Sequence, residues 1–233
     1  MAAIRNENRR ILQILASDGP AAEVRRAISG ASARDLPDVA PLDLRSLPPG
    51  VAETAVHQGL LAQVQPLPEA DPRILADPHT TRVVALDQVT DPQNVGAILR
   101  NCAVFGVDAV IAPRHHTPRE SGALAKAASG ALEIVPILRV ANLARALEQA
   151  KKDGFFVVGL DGDATNQFGD YAPLGRCVLV AGAEGRGLRR LVGEYCDATV
   201  ALPVDARARA AGVDSLNVAA AIAVALHELV RHQ

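Results

Sequence analysis

The sequence contains no tryptophan, two tyrosines and four phenylalanines among its 233 residues. A surface of interleaved aromatics, on which nucleobases could stack, is therefore not supported. Lysine is scarce too. Of 24 basic residues only three are Lys, and 26 Asp and Glu bring the formal net charge to -2. Without a basic excess, nucleic-acid binding through bulk charge is excluded, although a local patch is not. The three cysteines, Cys102, Cys177 and Cys196, are far apart and form no Cys-x-x-Cys pair. Neither a zinc ribbon nor a disulfide framework fits, and a reduced, cytoplasmic setting does. The N-terminal MAAIRNENRRILQIL lacks the apolar core of a secretory signal, and the longest apolar run, Val218 to Leu226, is too short to cross a bilayer. No membrane contact is expected. No metal is expected either: His115-His116 has no nearby Cys and no H-E-x-x-H pattern, and fits a surface loop.

What is present is aliphatic. Apolar residues make up 49% of the chain, mostly Ala, Val, Leu and Ile, which suits helices packed on a sheet. The length fits one large domain or a domain and a half. A Pro- and Asp-rich stretch, PLPEADPRILADPHT, reads as a linker. It divides the chain into a small α+β domain at 1–66, a linker at 67–80 and a larger α/β domain at 81–233. In the small domain the spacing of Ile4, Ile11, Leu12 and Leu15 predicts a helix over 4–16. A second helix is predicted over 21–29, mostly loop over 35–50, and a strand at 60–64.

The larger part alternates strands with helices. Apolar runs at 82–86, 107–112, 133–138, 155–160, 177–181 and 198–202 alternate with helical patterns at 94–105, 121–129, 141–153 and 187–195, and a final helix spans 215–231. Short β-branched runs between helices predict a parallel sheet covered on both faces. Ligands bind such sheets beyond the carboxyl ends of the strands. The chemistry should therefore follow residues 86, 181 and 202.

All three ends carry unusual sequence. After the first, Asp91-Pro92 with Asn94 signals a helix start, Gly96 allows close backbone approach, and Arg100 lies four residues beyond Gly96. Taken alone, a capped helix with one solvated arginine accounts for these residues. After the second come Gly182, Gly185 and Gly187, with Glu184 between them, then Arg186, Arg189 and Arg190. Glycines between strand and helix suit a ligand against backbone N–H groups, or simply a tight turn. Their order matches neither the dinucleotide G-x-G-x-x-G nor a P-loop, which counts against a nucleotide-dependent oxidoreductase. After the third, Asp214 or Ser215 can cap the last helix, with Asn217 in its apolar first turn. Asn217 needs a partner, structural or substrate.

Together the three segments resemble the motifs of the SpoU/TrmH family of RNA ribose 2′-O-methyltransferases, in the SPOUT superfamily. Motif one is Asp91-Pro92-x-Asn94-x-Gly96-x-x-x-Arg100, motif two Val180-x-Gly182-x-Glu184-Gly185-x-Gly187, and motif three Leu202-Pro203 followed by Ser215-Leu216-Asn217-Val218. Order and separation match as well. Residues 56–64 resemble the end of the N-terminal domain of RlmB-type members, which methylate a guanosine ribose of 23S rRNA. The resemblance implies a SPOUT-type parallel sheet with a C-terminal trefoil knot and a small L30/L7Ae-like, RNA-binding N-terminal domain. It also implies a homodimer and S-adenosylmethionine (SAM) as methyl donor. Residues Val180, Ala181, Gly182, Leu202, Leu216 and Ser215 would surround SAM. Arg100, Asn94, Glu184, Ser215 and Asn217 would form the catalytic set, with Arg100 as base or as stabiliser of phosphate and alkoxide.

The implied substrate is rRNA, with tRNA guanosine ribose as the rival. A non-catalytic RNA-binding or ribosome-assembly factor of the same fold is the reading from a different class, and the complete polar set argues for the enzyme. RNA-contact candidates are Arg5, Arg9 and Arg10, the trio Arg186, Arg189 and Arg190, and the loop arginines Arg207 and Arg209. These last two lie in a segment, Asp205 to Arg209, that resembles an insertion relative to the family.

Overall fold

The computed structural model describes residues 1–31, 35–43, 45, 47–48, 51, 56–168, 175–183, 185 and 187–231. The chain forms two compact units, Met1–Pro68 and Glu69–Gln233.

In the first unit, α1 (Ala2–Arg5) leads to β1 (Ile11–Ala16), α2 (Asp18–Gly30), β2 (Val39–Pro41) and β3 (Leu60–Val64). The sheet order is β2-β1-β3, with β1 parallel to β2 and antiparallel to β3. The helix predicted over 4–16 is therefore replaced by a short helical turn and the central strand. A short apolar run has no decisive period of its own, and pairing on both edges selects the strand. Strict alternation would send Ile11 and Ile14 to opposite faces. A register shift between Ile11 and Gln13 lets both be buried while Leu12 stays exposed. Arg9 is 1% exposed, and its Nη1 donates to the Gln65 carbonyl at 2.7 Å. It is built into this unit, whereas Arg5 and Arg10 are exposed.

The second unit begins with a 3-10 turn, Pro72–Ala76, then β4 (Arg82–Leu86), α3 (Pro92–Val104), β5 (Ala109–Pro113), α4 (Gly122–Ala128) and another 3-10 turn, Ala131–Glu133. It continues with β6 (Ile137–Val140), α5 (Leu143–Lys152), β7 (Phe156–Leu160), β8 (Cys177–Ala181), α6 (Arg190–Glu194), β9 (Ala198–Val200), α7 (Ala206–Ala210) and α8 (Val218–Arg231). The six strands are all parallel, in the order β6-β5-β4-β8-β7-β9. The strand expected at 133–138 starts later. A left-handed Ser129-Gly130 pair ends α4, and the ladder opens only where Val110 N–H donates to the Pro136 carbonyl.

One sheet face, with Val83, Ala85, Val178 and Val180, packs on Leu143, Leu147 and Ala150 of α5 and Val192 of α6. Alternation turns Val84, Leu86, Val110 and Leu179 to the other face, where they are equally buried. The remaining long helices, α3 and α8, pack on each other, and α3 packs on α4. Residues 69–80, linker by composition, lie in this unit. Arg176 holds them by donating to the carbonyls of Leu75, Asp77 and Thr80, with its guanidinium 4.2 Å above the Phe155 ring.

Two neighbours of β4 come from different parts of the chain: β5 follows it directly, and β8 arrives after the chain has visited β6 and β7. The crevice at that reversal, beyond the carboxyl ends, is where this architecture binds ligands.

Candidate functional site

Four strand ends meet around one open cavity of about 840 Å³. That volume lies within the roughly 300–1,000 Å³ of small-molecule sites. Leu160 to Asp163 follow β7, Ala181 to Gly187 follow β8, and Val200 to Val204 follow β9. Residues 209–218 close the cavity from α7 and the start of α8. The fourth strand end, that of β4, contributes from behind through Asp87. This side chain is fully buried. Its Oδ2 accepts from the Arg189 backbone N–H at 2.8 Å, its Oδ1 from Arg189 Nε at 2.7 Å, and its own N–H donates to the Ala181 carbonyl at 2.8 Å. The Asp87 backbone thereby fixes the chain entering the glycine turn, and its carboxylate the chain leaving it.

The turn itself is closed tightly. Gly187 N–H donates to the Ala183 carbonyl at 3.0 Å, and Gly185 and Gly187 take φ of +73° and +61°, conformations that favour glycine. A Cβ on Gly182 would stand 2.1 Å from the Gly187 carbonyl oxygen. A Cβ on Gly187 would meet only Asp161 Oδ1, at 3.9 Å, and would take up cavity space. The glycines thus serve a tight turn and leave room beside it.

Helix α3 starts as its sequence predicts. Asp91 caps it by accepting from Gln93 N–H at 2.9 Å, with Pro92 in the first turn. Gly96, however, faces α4, where a Cβ would lie 2.5 Å from Ala127 Cβ and 2.6 Å from the Leu124 carbonyl oxygen. Its role is close helix packing. Helix α8 is capped by neither Asp214 nor Ser215. Asn217 immediately precedes it, and its Oδ1 accepts from Ala219 N–H at 2.9 Å and from Ala220 N–H at 3.4 Å. The helix simply starts three residues later than expected, so the cap moves with it. The partner that Asn217 needs is Asn94: Asn217 Nδ2 donates to Asn94 Oδ1 at 2.9 Å, across 123 residues of sequence. A parallel tie, Asn101 Nδ2 to the Ala219 carbonyl at 2.8 Å, also joins α3 to α8.

Of the residues expected around a cofactor, Ala181, Gly182, Leu202, Ser215 and Leu216 line the cavity together with Asn217. Val180 does not; its side chain is fully buried in the sheet core below. Asn94 reaches the rim through Asn217. Arg100 is exposed on α3, outside the cavity lining, and its side chain has no hydrogen bond or ion pair among the described residues. Glu184 and Arg186 lie outside the described residues. Arg189 is committed to Asp87 and Arg190 pairs with Glu194, so two of the three motif-two arginines are engaged within the fold. Sequence reasoning missed Asp87, Asp161 and Arg209 as parts of this site. The available signal was position: Asp87 and Asp161 each directly follow a buried strand.

The lining divides into an apolar part (Leu160, Ala181, Val200, Leu202, Leu216, Val218) and a polar rim of Asp161, Asp163, Arg209, Asp214, Ser215 and Asn217. Such a site fits a ligand with a flat apolar portion and a charged tail. Among the described residues, no His, Cys, Asp and Glu group is arranged to hold a metal ion. None of the described helices is long and apolar enough to cross a membrane.

Comparison with known proteins bears on the family and the fold. A curated relative, the 23S rRNA (guanosine-2′-O-)-methyltransferase RlmB of Pasteurella multocida, is 44% identical over 187 residues, 78% of this chain and 74% of its own. The protein of the same name from Escherichia coli K12 is 39% identical over 186 residues, again 78% and 74%. The solved structure of the SpoU methyltransferase AviRb from Streptomyces viridochromogenes, in complex with the cofactor AdoMet, superposes with a TM-score of 0.78. It covers 99% of this chain and 86% of that one at 22% identity, and so supports the fold. The SpoU rRNA methylase family model matches residues 81–227, more than half of the chain. By that match and by the relatives' identity and coverage, the chain belongs to the SpoU rRNA methylase family of methyltransferases.

Proposed function

We propose that the protein transfers a methyl group from SAM to the ribose 2′-oxygen of a guanosine in 23S rRNA. The observation that carries this reading is the Asn217–Asn94 hydrogen bond, which joins the cavity wall to the helix bearing Arg100. The relatives named for that reaction supply the substrate, and the AviRb complex supplies the cofactor. The cavity suits SAM: apolar walls for the nucleoside, glycines that leave space, and a charged rim for the amino-acid end.

When bound, SAM supplies a methyl group on a positively charged sulfur. The work of the chain is to hold the ribose, whose 2′-hydroxyl proton passes to solvent at the open rim as the methyl–sulfur bond breaks and leaves S-adenosylhomocysteine. Arg100, exposed and uncommitted, faces the incoming RNA and binds a phosphate bidentately. Because guanidinium groups resist deprotonation in proteins, Arg100 acts by stabilising the developing alkoxide rather than as the base. Asn94 and Asn217 orient the site, Ser215 stands at the rim with its hydroxyl donating to Asp214 at 3.0 Å, and Glu184 completes the polar set.

RNA capture falls to placed arginines. In the first unit Arg5, Arg10, Arg25 and Arg26 are exposed, and we assign that unit to RNA binding. The working form is a homodimer. Val224, His227 and Val230 form a stripe on α8, His227 stacks edge-on with Phe105 at 6.4 Å, and Val224, Val230 and Val104 are exposed.

The test is transfer of tritiated methyl from SAM to 23S rRNA, 16S rRNA and tRNA, side by side. Label in 23S rRNA alone is expected. Label in tRNA would redirect the substrate, and no label in any RNA, with no SAM binding, would leave a non-catalytic RNA-binding factor.

A further inference from the structure

Arg209 sits on α7, in the segment of motif three that resembles an insertion. The cavity's described lining contains three carboxylates, Asp161, Asp163 and Asp214, and one cation, Arg209. Its neighbour Arg207 differs: Arg207 Nε donates to Asp205 at 3.1 Å, and that contact holds the Asp205 carboxyl below its usual range. The Arg209 guanidinium has no hydrogen bond or ion pair among the described residues. An arginine in a cavity lining that also holds three carboxylates, yet paired with none of them, is available to an anion.

We propose that Arg209 is the anchor for the α-carboxylate of the cofactor's methionine end. The proposal rests on the reading of this cavity as the SAM site. That end of SAM carries two cationic groups, the sulfonium and the ammonium, and one anion. The three carboxylates suit the cations and repel the anion, so the anion needs a positive seat. Backbone N–H groups are the usual alternative seat, and several of those at or near the cavity are taken. Ala219 and Ala220 donate to Asn217 Oδ1, Ala221 to the Asn217 carbonyl, Gly187 to Ala183, and Arg189 to Asp87. Gly212, with φ of +84°, turns the chain from α7 back into the cavity wall, which places Arg209 and Asp214 on one rim. The insertion thus provides a charge for cofactor selection.

The test is calorimetric binding of three ligands to the full-length protein. S-adenosylhomocysteine has the ammonium and carboxylate, its decarboxylated counterpart has the ammonium only, and 5′-methylthioadenosine has neither. Arg209→Ala should weaken S-adenosylhomocysteine about tenfold, the scale of one charge-assisted hydrogen bond at an open site, and leave the other two unchanged. Arg209→Lys should recover part of the loss, and Arg207→Ala should bind all three as the unaltered protein does. Equal weakening of all three ligands by Arg209→Ala, or no weakening of any, would overturn the proposal. So would loss of 23S rRNA binding in a filter assay with S-adenosylhomocysteine affinity intact, which would give Arg209 to an RNA phosphate. If the unaltered protein binds none of the three ligands, the cofactor reading itself fails.

Discussion

The two walls of the cavity are built differently. The wall after β8 is braced from within: buried Asp87 holds both the Arg189 backbone and side chain, and Gly182 lies against the Gly187 carbonyl with no room for a Cβ. The wall from 203 to 216 is mostly exposed, and α7 buries none of its residues. Its helix is held by its own cap, Asp205 to the Arg207 N–H, and by local turns. A segment with few buried contacts opens at low free energy, so its order is readily shifted by a ligand. One wall therefore sets the shape of the cavity, and the other responds to what enters it.

Substitutions can break this contrast. Gly182→Ala should have the largest effect. Its Cβ would meet backbone that is itself fixed, so a loss of about 3 kcal/mol of stability is expected in urea denaturation, with loss of S-adenosylhomocysteine binding. Asp87→Ala should cost about 2–3 kcal/mol, because it strands the part-buried Arg189 N–H and the Arg189 charge. The cost stays below that of a fully buried pair because the Arg189 side chain is 45% exposed. Asn217→Ala removes the α8 cap and the tie to Asn94, and should cost about 1 kcal/mol in the same experiment. On the exposed wall, Arg207→Ala should change stability by less than about 0.5 kcal/mol. Hydrogen exchange sharpens the same point. S-adenosylhomocysteine should protect the 203–216 segment by more than it protects the chain near Arg189. Equal protection of both walls would remove the distinction between them.

Much of this was legible in the sequence, for identifiable reasons. Buried parallel strands announce themselves as short β-branched runs, and all six were seen, with only the 133–138 run displaced by Pro136 and the left-handed Ser129-Gly130 pair. The Asp91-Pro92 cap was readable because capping is a local code. Strand β1 reads as helix in the sequence because Ile11 and Ile14 share a face only through a bulge, which depends on β3. The cavity lining was half legible. Gly182, Leu202 and Leu216 follow from motif resemblance, but Val180 points into the core because of its place in the alternation of β8. The partner of Asp87 and the place of Arg209 in the cavity lining are not legible in the sequence, since each depends on a partner or a void supplied by distant parts of the chain.

The most direct test of the functional account is nucleoside analysis of 23S rRNA by mass spectrometry after reaction with SAM, comparing the unaltered protein with Arg100→Ala. The account predicts 2′-O-methylguanosine with the former, and a loss of about a hundredfold or more with the latter while S-adenosylhomocysteine affinity is retained. A methyl group on a base instead of the ribose, or full methylation by Arg100→Ala, would contradict it.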